Sequence, residues 1–301
     1  MSAYDFETQT HGKWILAGEH AVLRGHPALV FPLKGKTLAL SYQQSERELT
    51  VQSEGTTGDV MEKLFWHLLG HVREVLGHAL SMQIVFTGYV RLFSDIPVGR
   101  GMGASAALSV AMARWLSFQG YLTEPIASFA KTLENLFHGQ SSGLDIVGVA
   151  AQEGYIFKAG HAQRLQQRWS PQWVLSFSGE DGMTAHCIEQ VKNIWLKNPT
   201  HAEAIDQSMR KSVLVATQAL SEDKPEALEY LARAVEEAAN CFKAWGLVNE
   251  SLAQHMIVLK KRGALATKPT GSGGGGYVLS LWPKETSIAL LAKADPNLIP
   301  L

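Results

Sequence analysis

The chain reads as an α+β protein of two domains. Short apolar strands alternate with amphipathic helices in the first half, the second half turns strongly helical, and few long stretches lack either pattern. A length of 301 residues suits one large domain or two moderate ones. The boundary is expected between 160 and 173, giving an N-terminal domain over 1–168 and a C-terminal domain over 169–301.

Taken in order, residues 13–17 (KWILA) and 27–33 (PALVFPL) form short apolar strands around GEHAVLRGH, a polar turn with glycine at both ends. TLALSY (37–42) and LTVQS (49–53) continue the strand-and-turn pattern. Apolar residues then recur at Val60, Leu64, Leu68, Val72, Val75 and Leu76, which is helical spacing. SMQIVFTG (81–88) is strand-like, and a glycine-rich turn at 97–103 leads into an Ala-rich helix over 104–118. Thr123 can cap a helix entered through Pro125 and running to His138. Strands are expected at 154–160, 173–179 and 277–282, and helices over 201–220, 225–245 and 249–262. Trp169, Trp173, Trp195 and Trp245 read as core or domain-packing residues, and His11, His26 and His138 as structural or surface histidines.

Composition narrows the function classes. Hydrophobic residues make up 46% and charged residues 18%, enough apolar material for a sizeable core. The net charge is −1 and no basic block exceeds KKR at 260–262, so no nucleic-acid partner is expected. Two cysteines, Cys187 and Cys241, cannot build a disulfide framework or a zinc cluster and suit a reducing compartment. The first residues lack a basic segment followed by an apolar one, and no window approaches the roughly 20 apolar residues of a membrane span. A soluble cytoplasmic protein is expected, with no membrane partner. The chain is compatible with a homodimer, and its sequence does not decide the oligomeric state.

The segment DIPVGRGMGASAALSVAMARWL (95–116) carries the clearest chemistry. Gly99, Gly101 and Gly103 alternate before Ala104 and Ser105 open a helix of small residues. Glycines let backbone N–H groups approach an anion, and the helix adds its free amides and positive dipole end. Ser105, in the first turn, could reach a phosphate oxygen or a metal ion. No lysine follows the glycines, so the loop is not the Gly-Lys-Ser/Thr phosphate loop, and Gly-x-Gly-x-Gly fits a dinucleotide fingerprint poorly. A plain glycine turn before a packed helix would look the same in isolation.

Three further segments accompany it. GKWILAGEHAVLRGHPAL (12–29) places Lys13, Glu19 and His20 around a strand; lone charges of this kind are usually solvated strand ends. ENLFHGQSSGLDIVGVA (134–150) puts Glu134 on a helix and Asp145 after a Gly/Ser loop, as a helix cap or a functional acid. KPTGSGGGGYVLSL (268–281) carries four consecutive glycines, costly to order unless backbone must lie close to a ligand or another segment.

Together these segments resemble the GHMP family of small-molecule kinases. That family shows an N-terminal substrate segment, a Pro-x-x-x-Gly-Leu-Gly-Ser-Ser-Ala phosphate loop and a C-terminal glycine-rich loop. GKWILAGEHAVL, IPVGRGMGASAA and KPTGSGGGG stand in that order over residues 12–282. Within the family, GEHAV and HGQSSGLD are most similar to the mevalonate kinases. The resemblance implies an N-terminal domain like ribosomal protein S5 domain 2 and a ferredoxin-like C-terminal domain. It also implies ATP and Mg²⁺ as cofactors, a small-molecule acceptor, and phosphorylation of the primary hydroxyl of mevalonate.

By the same resemblance, Gly99, Arg100, Gly101, Gly103, Ala104 and Ser105 would wrap the ATP phosphates, with Gly271, Gly273 and Gly274 shaping the wall between nucleotide and acceptor. Ser105 and Glu134 would hold Mg²⁺. Asp145 would take the proton of the attacking hydroxyl, Lys13 would keep Asp145 ionised, and Glu19 and His20 would line the acceptor site.

Two departures stand out. Ala104 replaces the first serine of the Ser-Ser pair. Gly182 stands where mevalonate kinases carry the arginine of an Arg-x-Thr element, with Thr184 at the threonine. Another acceptor, such as phosphomevalonate or a sugar, would keep the fold but needs different side chains there; a phosphorylated one needs extra cations, and only Arg24 is evident near Glu19 and His20. A non-catalytic ligand sensor would be expected to lose Lys13, Ser105, Glu134 or Asp145, and all four are present.

Overall fold

Two long strands organise the chain, whose computed structural model describes residues 4–80, 84–139 and 141–301. They are β1 (Phe6–Ala17) and β2 (Ala28–Glu48). Two units interleave in sequence: Met1–Gly12, Leu33–Val98 and Met102–Ala150 form the first, and Lys13–Pro32, Gly99–Gly101 and Ala151–Leu301 the second.

In the first unit, β3 (Thr50–Glu54) lies parallel to β4 (Thr87–Ser94), and the connection between them is α1 (Gly58–Leu80). A parallel neighbour requires such a crossover. The later part of β2 pairs antiparallel with β4, Leu38 opposite Ser94 and Tyr42 opposite Val90. Three more helices complete the unit: α2 (Ala104–Phe118), α3 (Ile126–His138) and α4 (Leu144–Ala150). All three pack against one another. Trp115 of α2 is fully buried, its ring 5.4 to 5.8 Å from those of Tyr42, Phe65 and Phe86. Side chains of this size each contribute about 1.5–3 kcal/mol when fully buried, so Trp115 anchors the C-terminal end of α2.

Several local expectations are corrected. The buried face of α1 is Met61, Phe65, Leu68, Leu69, Val72 and Leu76, while Val60 and Val75 face solvent. Each of those two has an apolar successor, and the successor takes the core. The strand expected over 81–88 begins at Thr87, and its first three residues lie outside the described residues. Thr123 does not cap α3; Pro125 occupies the cap position, and its carbonyl accepts the Ser128 N–H at 2.9 Å.

In the second unit, the first part of β2 pairs with β5 (Tyr155–Lys158), which continues into β6 (His161–Arg164). The chain then runs through β7 (Gln172–Phe177), α5 (Thr184–Lys197), α6 (Pro199–Ser221), α7 (Ala227–Ala244), α8 (Glu250–Lys261), β8 (Ala266–Pro269), β9 (Tyr277–Trp282), α9 (Ile288–Ala294) and β10 (Leu298–Pro300). The last four strands form an antiparallel sheet in the order β10-β7-β9-β8. Counted within this sheet the order is 4-1-3-2 with helices after the first and third strands, the arrangement expected of a ferredoxin-like domain. Its core includes Val174, Leu252, Leu259, Val278 and Trp282. Trp173 and Trp245 are buried as expected, and Trp169 and Trp195 half-buried. Among the described residues, no helix is long and apolar enough to cross a membrane.

Candidate active site

The phosphate-loop glycines adopt the backbone their alternation implies. Gly99 and Gly101 have φ of 76° and 74°, a left-handed conformation that a side chain strongly disfavours. Gly103 occupies the cap position of α2, and its carbonyl accepts the Ala107 N–H at 2.8 Å. Ala104 and Ser105 follow in the first turn, where backbone amides have no partner within the helix. Thr10 Oγ1 donates to the Ala107 carbonyl at 3.1 Å, tying this end of α2 to β1.

Glu134, on α3, is buried. Ser141 Oγ donates to its Oε2, and the same Ser141 oxygen accepts the Gly143 N–H at 3.1 Å. Asn135 Oδ1 accepts the Ser141 N–H at 2.7 Å. The Gly/Ser loop is therefore folded back onto α3, and α4 starts directly after it with half-buried Asp145 in its first turn. In this way Ser105, Glu134 and Asp145 are mounted on three mutually packed helices of the first unit.

The second unit holds the acceptor segment, and here the reading of solvated strand ends fails. Lys13, Glu19 and His20 are 3%, 3% and 7% exposed. The turn after the strand is a 3-10 turn, Ala21–Arg24, in which Ala21 and Val22 are buried and Leu23 is exposed. His20 has φ of 58° with ψ of −50°, outside the left-handed helical region, a conformation costing about 1–3 kcal/mol. Its Nε2 lies 2.8 Å from the Ser272 carbonyl, which can only accept, so the proton is on Nε2. Burial pushes the His20 pKa down to about 4, which leaves a neutral imidazole.

A residue without a sequence-stated role completes this cluster. Lys268, on β8, is fully buried and donates to Glu19 Oε1 at 2.5 Å and to the Ile15 carbonyl at 3.3 Å. Burial pushes the Glu19 carboxyl up and the Lys268 ammonium down, and each charge partly offsets the shift of the other. The available signal was a lone lysine in a short strand directly before the glycine run.

The second glycine loop is sewn to its surroundings. Gly274 N–H donates to the Leu247 carbonyl at 2.8 Å and Gly276 N–H to the Glu180 carbonyl at 2.7 Å, while Cys187 Sγ donates to the Gly273 carbonyl at 3.3 Å. A Cβ on Gly271 would lie 3.5 Å from the Gly101 Cα, so this loop and the tip of the phosphate loop are in van der Waals reach. Gly182 packs against it too: a Cβ there would stand 2.6 Å from the Gly273 carbonyl oxygen. The arginine expected at this position has no room without a shift of the loop. Thr184 Oγ1 lies 3.2 Å from Ser272 Oγ. Arg100 donates to Asp181 at 2.9 Å and lies 4.1 Å over the Phe177 ring.

Arg24 is also engaged. It donates through Nε and Nη2 to the two carboxylate oxygens of fully buried Asp206 on α6, and its guanidinium lies 5.2 Å from the Trp195 ring. His26 Nε2 lies 3.9 Å from the same carboxylate.

These segments now meet a direct comparison: residues 63–153 match the family model for the GHMP kinases N-terminal domain. The chain carries a GHMP kinases N-terminal domain. It is 28% identical to the mevalonate kinase of Pyrococcus horikoshii, over 93% of this chain and 90% of that one. Its fold matches that of L. major mevalonate kinase, solved in complex with R-mevalonate, with a TM-score of 0.76, 21% identity, and coverage of 100% of this chain and 98% of that one. The phosphomevalonate kinase of Streptococcus pneumoniae, solved with phosphomevalonate and AMPPNP, matches with a TM-score of 0.75 at 17% identity, covering 98% of both chains. Fold alone therefore does not choose an acceptor; the side chains of the acceptor segment must.

Proposed function

We propose that the protein transfers the γ-phosphoryl group of ATP to the primary hydroxyl of mevalonate, giving 5-phosphomevalonate and ADP. The observation that carries the acceptor choice is the Arg24–Asp206 pair. The cation nearest the Glu19–His20 turn in sequence is already neutralised by a buried carboxylate. Lys268 is likewise taken by Glu19. Such a turn favours a hydroxyl-bearing monoanion over an acceptor that brings an additional phosphate dianion. Resemblance in sequence to mevalonate kinases over nine-tenths of the chain supports the same choice.

In this reading the backbone from Gly99 to Ser105 cradles the triphosphate, and the second glycine run borders it. Asp145 accepts the hydroxyl proton as that oxygen bonds to the γ-phosphorus, and the bond from phosphorus to the β–γ bridging oxygen breaks, releasing ADP. Lys13 offsets negative charge on the moving phosphoryl group. Glu19 and His20 hold the acceptor.

Ser105 and Glu134 offer only oxygen donors, a set that fits magnesium, and the buried Glu134 carboxylate is already oriented by Ser141. Among the described residues, no group of three or more His, Cys, Asp or Glu side chains could hold a metal by itself, so phosphate and water would supply the remaining ligands. Magnesium bound there would supply neutralisation of phosphate charge.

Gly182 is the observation that favours another small alcohol, since the arginine of the mevalonate kinase pattern has no room there without a shift of the second glycine loop. Phosphorus NMR of the product decides between the two: a new monoester on the primary carbon of mevalonate supports the reading, and consumption of ATP only with another alcohol refutes it. The cytoplasm is the expected location of this activity.

A further inference from the structure

Glu19 has two carboxylate oxygens in different situations. Oε1 accepts from Lys268, whereas Oε2 is buried and has no hydrogen-bond partner among the described residues. A buried acceptor left unpaired is costly, and a site meets that cost when a ligand donates to it. We propose that Lys268 is a positioning residue for the acceptor: it fixes Glu19 so that Oε2 receives a hydroxyl of the small alcohol. The inference rests on the acceptor role of Glu19 in the function proposed above.

The local structure shows how the lysine is aimed. Lys268 lies on β8 and Thr270 directly follows that strand. Both reach Ile15: Thr270 Oγ1 donates to its carbonyl at 3.0 Å and accepts its N–H at 3.1 Å, and Lys268 Nζ donates to the same carbonyl at 3.3 Å. The Nζ also lies 5.2 Å from the centre of the Phe242 ring. A carboxylate, a carbonyl and an aromatic face thus surround one ammonium group, and its direction toward Glu19 Oε1 is set by the backbone of β1. Glu19 in turn sits at the strained His20 corner, whose imidazole is tied to Ser272 two residues past Thr270. The strand that begins the glycine run therefore orients both acceptor residues.

The charged and titratable groups acting on this pair are Lys268 from β8, Lys13 from β1 and Cys241 from α7. Burial raises the Glu19 carboxyl, and the Lys268 charge and hydrogen bond are the largest influences opposing that shift.

The test is steady-state kinetics of the full-length protein and of Lys268→Met, Glu19→Gln and the double variant, with Mg-ATP and mevalonate. Lys268→Met should raise KM for mevalonate at least about tenfold while KM for ATP stays within about twofold. The acidic limb of kcat/KM for mevalonate should move to higher pH by about one unit, because the carboxylate has lost its counter-charge. Since the lysine acts through the glutamate, the double variant should have a mevalonate KM no worse than that of Glu19→Gln alone. An unchanged KM and limb in Lys268→Met, or equal losses for both substrates, would overturn the inference. If Lys268→Met does not fold, the neutral double variant decides it: a mevalonate KM much worse than that of Glu19→Gln overturns the inference. Wild-type protein that uses a different alcohol defeats only the mevalonate reading, and the same four proteins then test Lys268 with that alcohol.

Discussion

Asp206 lies wholly inside the second unit and receives Arg24 through both Nε and Nη2, the latter at 2.7 Å. The partners differ in access to water: the Arg24 side chain is 24% exposed, and that of Asp206 is not exposed at all. Removing one partner of a buried pair strands the other. Arg24→Ala should therefore cost about 3–5 kcal/mol, and Asp206→Ala less, on the order of 2 kcal/mol, because the guanidinium can turn toward solvent. Urea unfolding of the two variants gives the order, and a larger loss for Asp206→Ala would contradict it.

The Gly182 position makes a sharper claim about the missing arginine. Restoring the family residue with Gly182→Arg should harm this protein, since even the Cβ meets the Gly273 carbonyl at 2.6 Å. Displacing that loop should raise the dissociation constant for ATP by about tenfold or more and lower the melting temperature. Calorimetric titration with ATP checks it. Unchanged or improved binding would mean that the loop yields freely.

His20 predicts a pH dependence whose sign follows from its burial. Its pKa in the folded chain is about 4, against 6.5 for the exposed side chain. Above pH 6.5 the imidazole is neutral in both states and its contribution is complete. As pH falls from 6.5 toward 4 the unfolded chain takes up a proton that the folded chain refuses, and about 3 kcal/mol is lost. His11 and His255 shift in the same direction, so the share of His20 is read by difference. A His20→Gln variant should show a shallower slope of unfolding free energy over that range, and an identical slope would place His20 in contact with water.

Within the first unit the proposed roles separate in kinetics. Asp145→Asn should remove most turnover and leave ATP binding nearly intact, because it changes the proton acceptor and not the phosphate cradle. Ser105→Ala should instead weaken use of Mg-ATP and shift the magnesium dependence. Turnover by Asp145→Asn at the wild-type rate, or an unaltered magnesium dependence in Ser105→Ala, would remove the corresponding role.

Much of the scaffold was legible because it is written in local pattern. The glycine alternation at 99–103 announces positive φ, and the Ala-rich run after it announces α2. Helix α5 was missed because its buried residues are only Cys187 and Val191, and its cap position is Met183 with no capping side chain. Strands β6, β8 and β10 escaped because each is four residues or fewer and draws its identity from its neighbours. In the site, motif order found Glu19 and His20 but not their burial. Lys268 and Asp206 lie about 250 and 180 residues from the groups they pair with, and no periodicity reports a contact of that kind. The missing arginine could be noticed in the sequence, but its reason, the packing of Gly182 on the second glycine loop, could not.

The central claim is the acceptor, and ADP release with Mg-ATP tests it most directly, with mevalonate, phosphomevalonate, galactose and homoserine compared at equal concentration. The account predicts strong turnover with mevalonate and at most a small fraction of that rate with the other three. Turnover of phosphomevalonate at a rate equal to or above that of mevalonate would contradict it, and would mean that Arg24 leaves Asp206 to meet the phosphate.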